Sequence, residues 1–119
     1  MGHASAADSC NKGSFDDKVD ADTFWWAVIM DCSEIEDELA VNTNLQKFDW
    51  DTWQWRQITF LMYGESQLHE DWLSASRYRD VTPGGGLNCY RIRTIHLVVD
   101  ENPHGVEYFS ETTSPGQCF

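Results

Sequence analysis

The sequence predicts an α+β domain in which a small mixed or antiparallel sheet of about four strands packs with two helices in the order β-α-β-α-β-β. Three observations predict it. An unbroken apolar run from Phe24 to Met30 is rich in β-favouring residues. Ser33 stands three residues before Glu36, the spacing of a capping box, and apolar residues return at i+3 or i+4 behind it. Two further β-rich segments, 89–100 and 106–113, flank the turn-forming Glu101-Asn102-Pro103-His104-Gly105.

Taken in order, Met1 to Asp22 is rich in Ala, Ser, Gly, Asp and Lys, with only Phe15 and Val19 as sizeable apolar side chains, so the sequence predicts a disordered lead-in over 1–22. A single domain is expected over 23–119. Its first strand is Thr23 to Cys32, covered on both faces because both parities are apolar. A helix follows from Ser33 to about Lys47. Glu34, Glu36 and Asp37 complement its N-terminal amides, and Ile35, Leu39, Val41, Leu45 and Phe48 form its apolar stripe.

A strand is expected from Trp53 to Tyr63, closed by Gly64, and a second helix over Ser66 to Ser76 carrying Leu68, Trp72 and Leu73. Thr82-Pro83-Gly84-Gly85-Gly86 is a loop. The segments 89–100 and 106–113 then form a terminal antiparallel hairpin.

Charge restricts the function classes. Twenty acidic against eight basic residues give a formal net charge of −12 in 119 residues. That charge repels phosphate backbones and anionic membranes, so direct nucleic-acid and membrane binding are not expected. It suits a basic partner, including one recognised by imitation of DNA with rows of carboxylates. The N-terminal segment carries neither the basic nor the apolar region of a secretory signal, and a soluble, cytoplasmic protein is expected.

Cys10, Cys32, Cys89 and Cys118 are widely separated with no C-x-x-C pair, which argues against a zinc site. In a reducing compartment Cys32 and Cys89 would be small buried hydrophobes, and Cys10 and Cys118 exposed thiols. Glu65 and His69 would share a helix face four residues apart, but no third residue stands at a ligand spacing, and neither metal nor cofactor is expected.

Strand alternation places Tyr90, Ile92, Thr94, His96 and Val98 on one face and Arg91 and Arg93 on the other. His96 is the candidate catalytic base. Arg91 and Arg93 are candidate anion-binding groups through their forked guanidinium geometry. The segment Phe48 to Trp55 interleaves three tryptophans with acids and amides, and Trp53 and Trp55, two apart, are candidate ligand-binding or interface residues.

No phosphate loop, nucleophile elbow, zinc-protease or calcium-loop pattern is present. In small size, acidity and lack of signatures the chain resembles accessory products of mobile genes, such as phage or gene-cassette proteins. The leading expectation is a binding module for a protein or a small ligand, with surplus apolar surface suited to a homodimer. The alternatives are a small pocket enzyme using His96, and an inhibitor that mimics nucleic acid.

Overall fold

The computed structural model describes residues 10–59, 62–81, 86–100 and 106–119, and every regular element among them is a strand. These are β1 (Cys10–Asp20), β2 (Thr23–Asp49), β3 (Gln54–Gln57), β4 (Tyr63–Asp80), β5 (Cys89–Asp100), β6 (Val106–Thr113) and β7 (Gln117–Cys118). All pair antiparallel in one seven-stranded sheet. The α+β expectation with two helices is therefore corrected to a curled, all-β antiparallel fold.

β2 is the spine. One of its edges takes β1 along Thr23–Cys32 and β5 along Glu38–Lys47, while the other takes β4 along Thr23–Thr43 and then β3 along Gln46–Asp49. A strand of 27 residues would span roughly 90 Å if straight. The molecule is 56 Å long, so β2 bends. The bend falls where the β2–β4 register shifts, between Asp31 and Glu36.

This irregular corner changes which parity faces inward. Before it Phe24, Trp26, Val28, Met30 and Cys32 are buried, and after it Leu39, Val41, Thr43 and Leu45. The sheet thus folds over itself and closes one core between its halves. Phe24 meets Tyr90 at 6.5 Å between ring centroids, and Trp26 meets Tyr63 at 5.5 Å.

The predicted helix over 33–47 is thus strand, for an identifiable reason. Leu39, Val41 and Leu45 lie two or four residues apart, and a spacing of four is also two periods of a strand. With Thr43 they form one strand face, the β-branched Val41 and Thr43 agree with that state, and Ser33 to Glu36 make the corner instead of a cap. The second predicted helix lies within β4, which pairs with β2 along most of its length; Leu73 is buried, whereas Leu68 and Trp72 are exposed.

Other elements are corrected as well. The lead-in expected through Asp22 is, from Cys10 to Asp20, the strand β1. A ladder satisfies backbone groups without requiring apolar side chains, and a Cys10–Cys32 disulfide fastens this one. Residues 1–9 lie outside the described residues. The strand expected over Trp53–Tyr63 is only Gln54–Gln57, with Tyr63 opening β4, and residues 60 and 61 are not described. Of the loop foreseen at 82–86 only Gly86 is described, at φ +94°, and the loop foreseen at 101–105 falls outside the described residues. The β5–β6 hairpin forms as expected, pairing Arg93–Asp100 with Val106–Thr113.

The cysteines are all paired, Cys10 with Cys32 and Cys89 with Cys118. Cys32 and Cys89 are buried as expected, but as half-cystines, and neither Cys10 nor Cys118 is a thiol. Among the described residues no helix is long and apolar enough to cross a membrane.

Candidate binding surface

Beyond β2 the chain must turn back within a few residues to make β3, and its aromatic side chains gather at that turn. Asp49 organises it. Its carboxylate accepts the Asp51 amide at 2.9 Å and the Arg56 Nε–H at 2.7 Å, and these bonds, the Asp51 amide first, hold its pKa below the usual carboxylate value.

On this frame Phe48, Trp50 and Trp53 pack mutually edge to face, with centroids 4.7, 6.0 and 5.7 Å apart. Trp50 donates its indole N–H to the Leu87 carbonyl at 2.8 Å. Trp53 is 72% exposed and adopts φ +56°, a left-handed conformation rarely taken by a bulky residue.

Trp55 completes the group on the other side of Phe48, at 5.3 Å. The Arg91 guanidinium lies 4.6 Å from its ring centre. Gly116, at φ +103°, approaches the same ring so closely that a β-carbon there would stand 3.1 Å from Trp55 Cη2. Arg91 Nε also donates to Gln46 Oε1 at 2.7 Å, and desolvation lowers its pKa from the ordinary guanidinium value.

Two grooves flank this platform. One, of about 310 Å³, runs between the tryptophans and the Cys89–Cys118 disulfide. The other, of about 440 Å³, lies beyond Phe48 and Trp50 and is edged by Lys47, Asp49 and Arg56. Both are open to solvent.

The structure separates the sequence-derived site residues into three places. Trp53, Trp55 and Arg91 come together at the aromatic end. Arg93 shares the outer face of β5 with Arg91 but is engaged by Glu111 at 2.6 Å, which raises the arginine pKa and lowers that of the glutamate. His96 points the opposite way, into the interior, where it is fully buried.

There His96 Nε2 and the Thr112 hydroxyl share a hydrogen bond of 2.7 Å. Thr112 meets Ser14 at 2.6 Å, Ser14 donates to Thr94 at 3.0 Å, and Thr43 and Thr94 are 3.0 Å apart. Burial, with a smaller contribution from the positive charge of Lys12, pushes the His96 pKa down to about 4. His96 is neutral at pH 7 and lines none of the grooves described here. The imidazole binds Thr112 across the β5–β6 hairpin and, through Thr112, is linked to Ser14 of β1.

Glu65 and His69 do not form a couple. His69 sits at φ +55° in β4 and faces Asp37 at 3.7 Å, while Glu65 accepts the hydroxyl of Tyr63. No group of three or more His, Cys, Asp or Glu among the described residues is placed to hold a metal.

Sequence reasoning missed the roles of Gly116 and the Cys89–Cys118 disulfide, which close the groove, and of Ser14, which lies in the segment expected to be disordered. The available signal was the inward parity of Thr94 and His96 on β5, which requires polar groups opposite them.

No protein-family model matches the sequence, and no curated protein matches it. The crystal structure of a Bordetella pertussis protein provisionally named ApaA is similar at a TM-score of 0.47 and 9% identity, over 92% of this chain and 89% of that one. This likeness is too distant to carry fold or function across.

Proposed function

We propose that the chain is a non-catalytic binding module that docks a protein partner through its aromatic end. The observation supporting this reading is the pair Trp50 and Trp53, solvent-exposed yet fixed by edge-to-face packing on Phe48. Exposed tryptophans cost solubility, and prefixed aromatic rings are the side chains from which interfaces draw most of their energy. A small-molecule site normally encloses most of its ligand, whereas both grooves here are open, which favours a macromolecular surface. The net charge of −12 favours a basic partner over a nucleic acid or an anionic membrane. The two disulfides support an oxidising compartment in place of the cytoplasmic location expected from sequence.

The test is differential affinity capture from the organism's own extract. Immobilised wild-type chain is compared with a Trp50→Ala/Trp53→Ala variant and with Leu68→Ala, an exposed control on β4. A basic protein retained by wild type and control, lost by the double variant, and bound directly when purified is the expected result. Equal retention by all three chains sinks the reading.

A further inference from the structure

We propose that β4 is a dimerisation edge, pairing antiparallel with β4 of a second copy about a two-fold axis through Ala75. One edge of β4 is used by β2, and among the described residues the other meets no strand. From Trp72 to Asp80 the register with Thr23–Asp31 is unbroken, and all side chains but Leu73 and Ala75 are exposed. The segment 72–80 contains neither proline nor glycine. An open edge of this kind is a template for another strand unless it is blocked by a bulge, a proline or opposing charge.

The side chains select the occupant and the register. Acids precede Trp72, at Glu70 and Asp71, and basic residues follow Ser76, at Arg77 and Arg79. Antiparallel self-pairing about Ala75 therefore brings Asp71 of one copy to Arg79 of the other, an attraction offset in part by Glu70 facing Asp80 one position further out.

With the axis at Ala75, Asp71 lies opposite Arg79 of the second copy and Trp72 opposite Tyr78 of the second copy, and symmetry makes each pair twice. Trp72 and Tyr78 are 54% and 70% exposed on the outward face, as an unsatisfied aromatic pair would be. Ser74, Ala75 and Ser76 at the centre are small enough for close approach. Moving the axis to Ser74 sets Trp72 against Ser76, and moving it to Ser76 sets Trp72 against Asp80, so both alternatives lose the aromatic pairs.

The outer edge of β6 offers no opposite-charge pair at all, since β6 carries no basic residue, and a two-fold there through Phe109 would oppose Glu107 to Glu111. Dimerisation by β4 leaves the aromatic end exposed in both copies, and it does not depend on the function proposed for that end.

Sedimentation velocity over a concentration series at about 0.15 M salt, where exposed charges are screened beyond roughly 8 Å, tests the arrangement. The wild-type chain is expected to dimerise. Asp71→Arg and Arg79→Asp should each weaken dimerisation about tenfold or more, and the combined swap should restore it, because opposite charges again face one another. A wild-type chain monomeric at every concentration, or a dimer indifferent to the single swaps, overturns the proposal.

The register has its own readout, which also serves should a charge variant fail to fold. A Ser74→Cys/Ser76→Cys chain should form a covalent dimer under mild oxidation, because each new thiol faces the other position of the second copy. A dimer that does not cross-link overturns this pairing.

Discussion

Ser14 donates a hydrogen bond of 3.0 Å to Thr94 across a sequence separation of 80 residues, deep in the folded-over sheet. That contact fastens β1 to β5, two strands that share no backbone ladder, and Thr112 extends it to β6. Replacing Ser14 by Ala leaves the buried hydroxyl of Thr94 and the partly buried one of Thr112 each short of a partner. The expected loss of stability is about 1–3 kcal/mol in urea unfolding, and the effect should be strongly non-additive with Thr94→Val. Additive losses would mean that the two hydroxyls do not act together.

His96 makes stability depend on pH. The unfolded chain takes up this proton near pH 6.5, whereas the fold resists it until about 4. The stabilising contribution is therefore complete above about 6.5 and is lost as pH falls through that window, to a total of about 3 kcal/mol. Urea midpoints at pH 7 and pH 5 measure the slope. His96→Gln should flatten it over this range, and an unchanged slope would assign the titration elsewhere.

Both disulfides should be present in the folded chain. Thiol titration in denaturant without reductant should detect no free thiol, and four after reduction. The bridges span 22 and 29 residues, so a Cys10→Ser/Cys32→Ser or Cys89→Ser/Cys118→Ser chain should lose about 2–4 kcal/mol of stability. Free thiols in the native chain would contradict the pairing and the oxidising compartment inferred from it.

Trp53 should separate stability from binding. Its left-handed backbone is unfavourable for tryptophan, and most of its side chain faces solvent. Trp53→Gly should leave unfolding free energy within about 1 kcal/mol of wild type, because relief of the backbone offsets the lost ring contacts. The same change should abolish partner capture. A large loss of stability would make Trp53 a structural residue and remove the main support for the aromatic docking surface.

Gly116 acts through Trp55. Its φ of +103° disfavours any side chain, and a β-carbon would press on the indole that carries Arg91. Gly116→Ala should cost about 1–3 kcal/mol and shift the Trp55 fluorescence, whereas Gly86→Ala, where nothing lies within 4 Å, should show only the backbone cost.

The alternation along β5 determined in advance that Tyr90, Ile92, Thr94, His96 and Val98 share one face, and all five are buried. That holds because a strand fixes side-chain direction locally, residue by residue. The same local logic marked the β5–β6 hairpin. Other outcomes depended on partners distant in the chain. Leu39, Val41 and Leu45 satisfy helical and strand spacing alike, and the choice fell to the edges of β2, which take β5 on one side and β4 on the other. Ser14 in a polar segment, the cysteine pairings and the inward burial of His96 followed from which strands the fold brought together. A sequence shows which face a side chain takes once its state is given, whereas the state itself and what lies opposite are settled by long-range pairing, through hydrogen bonds and burial that no local window contains.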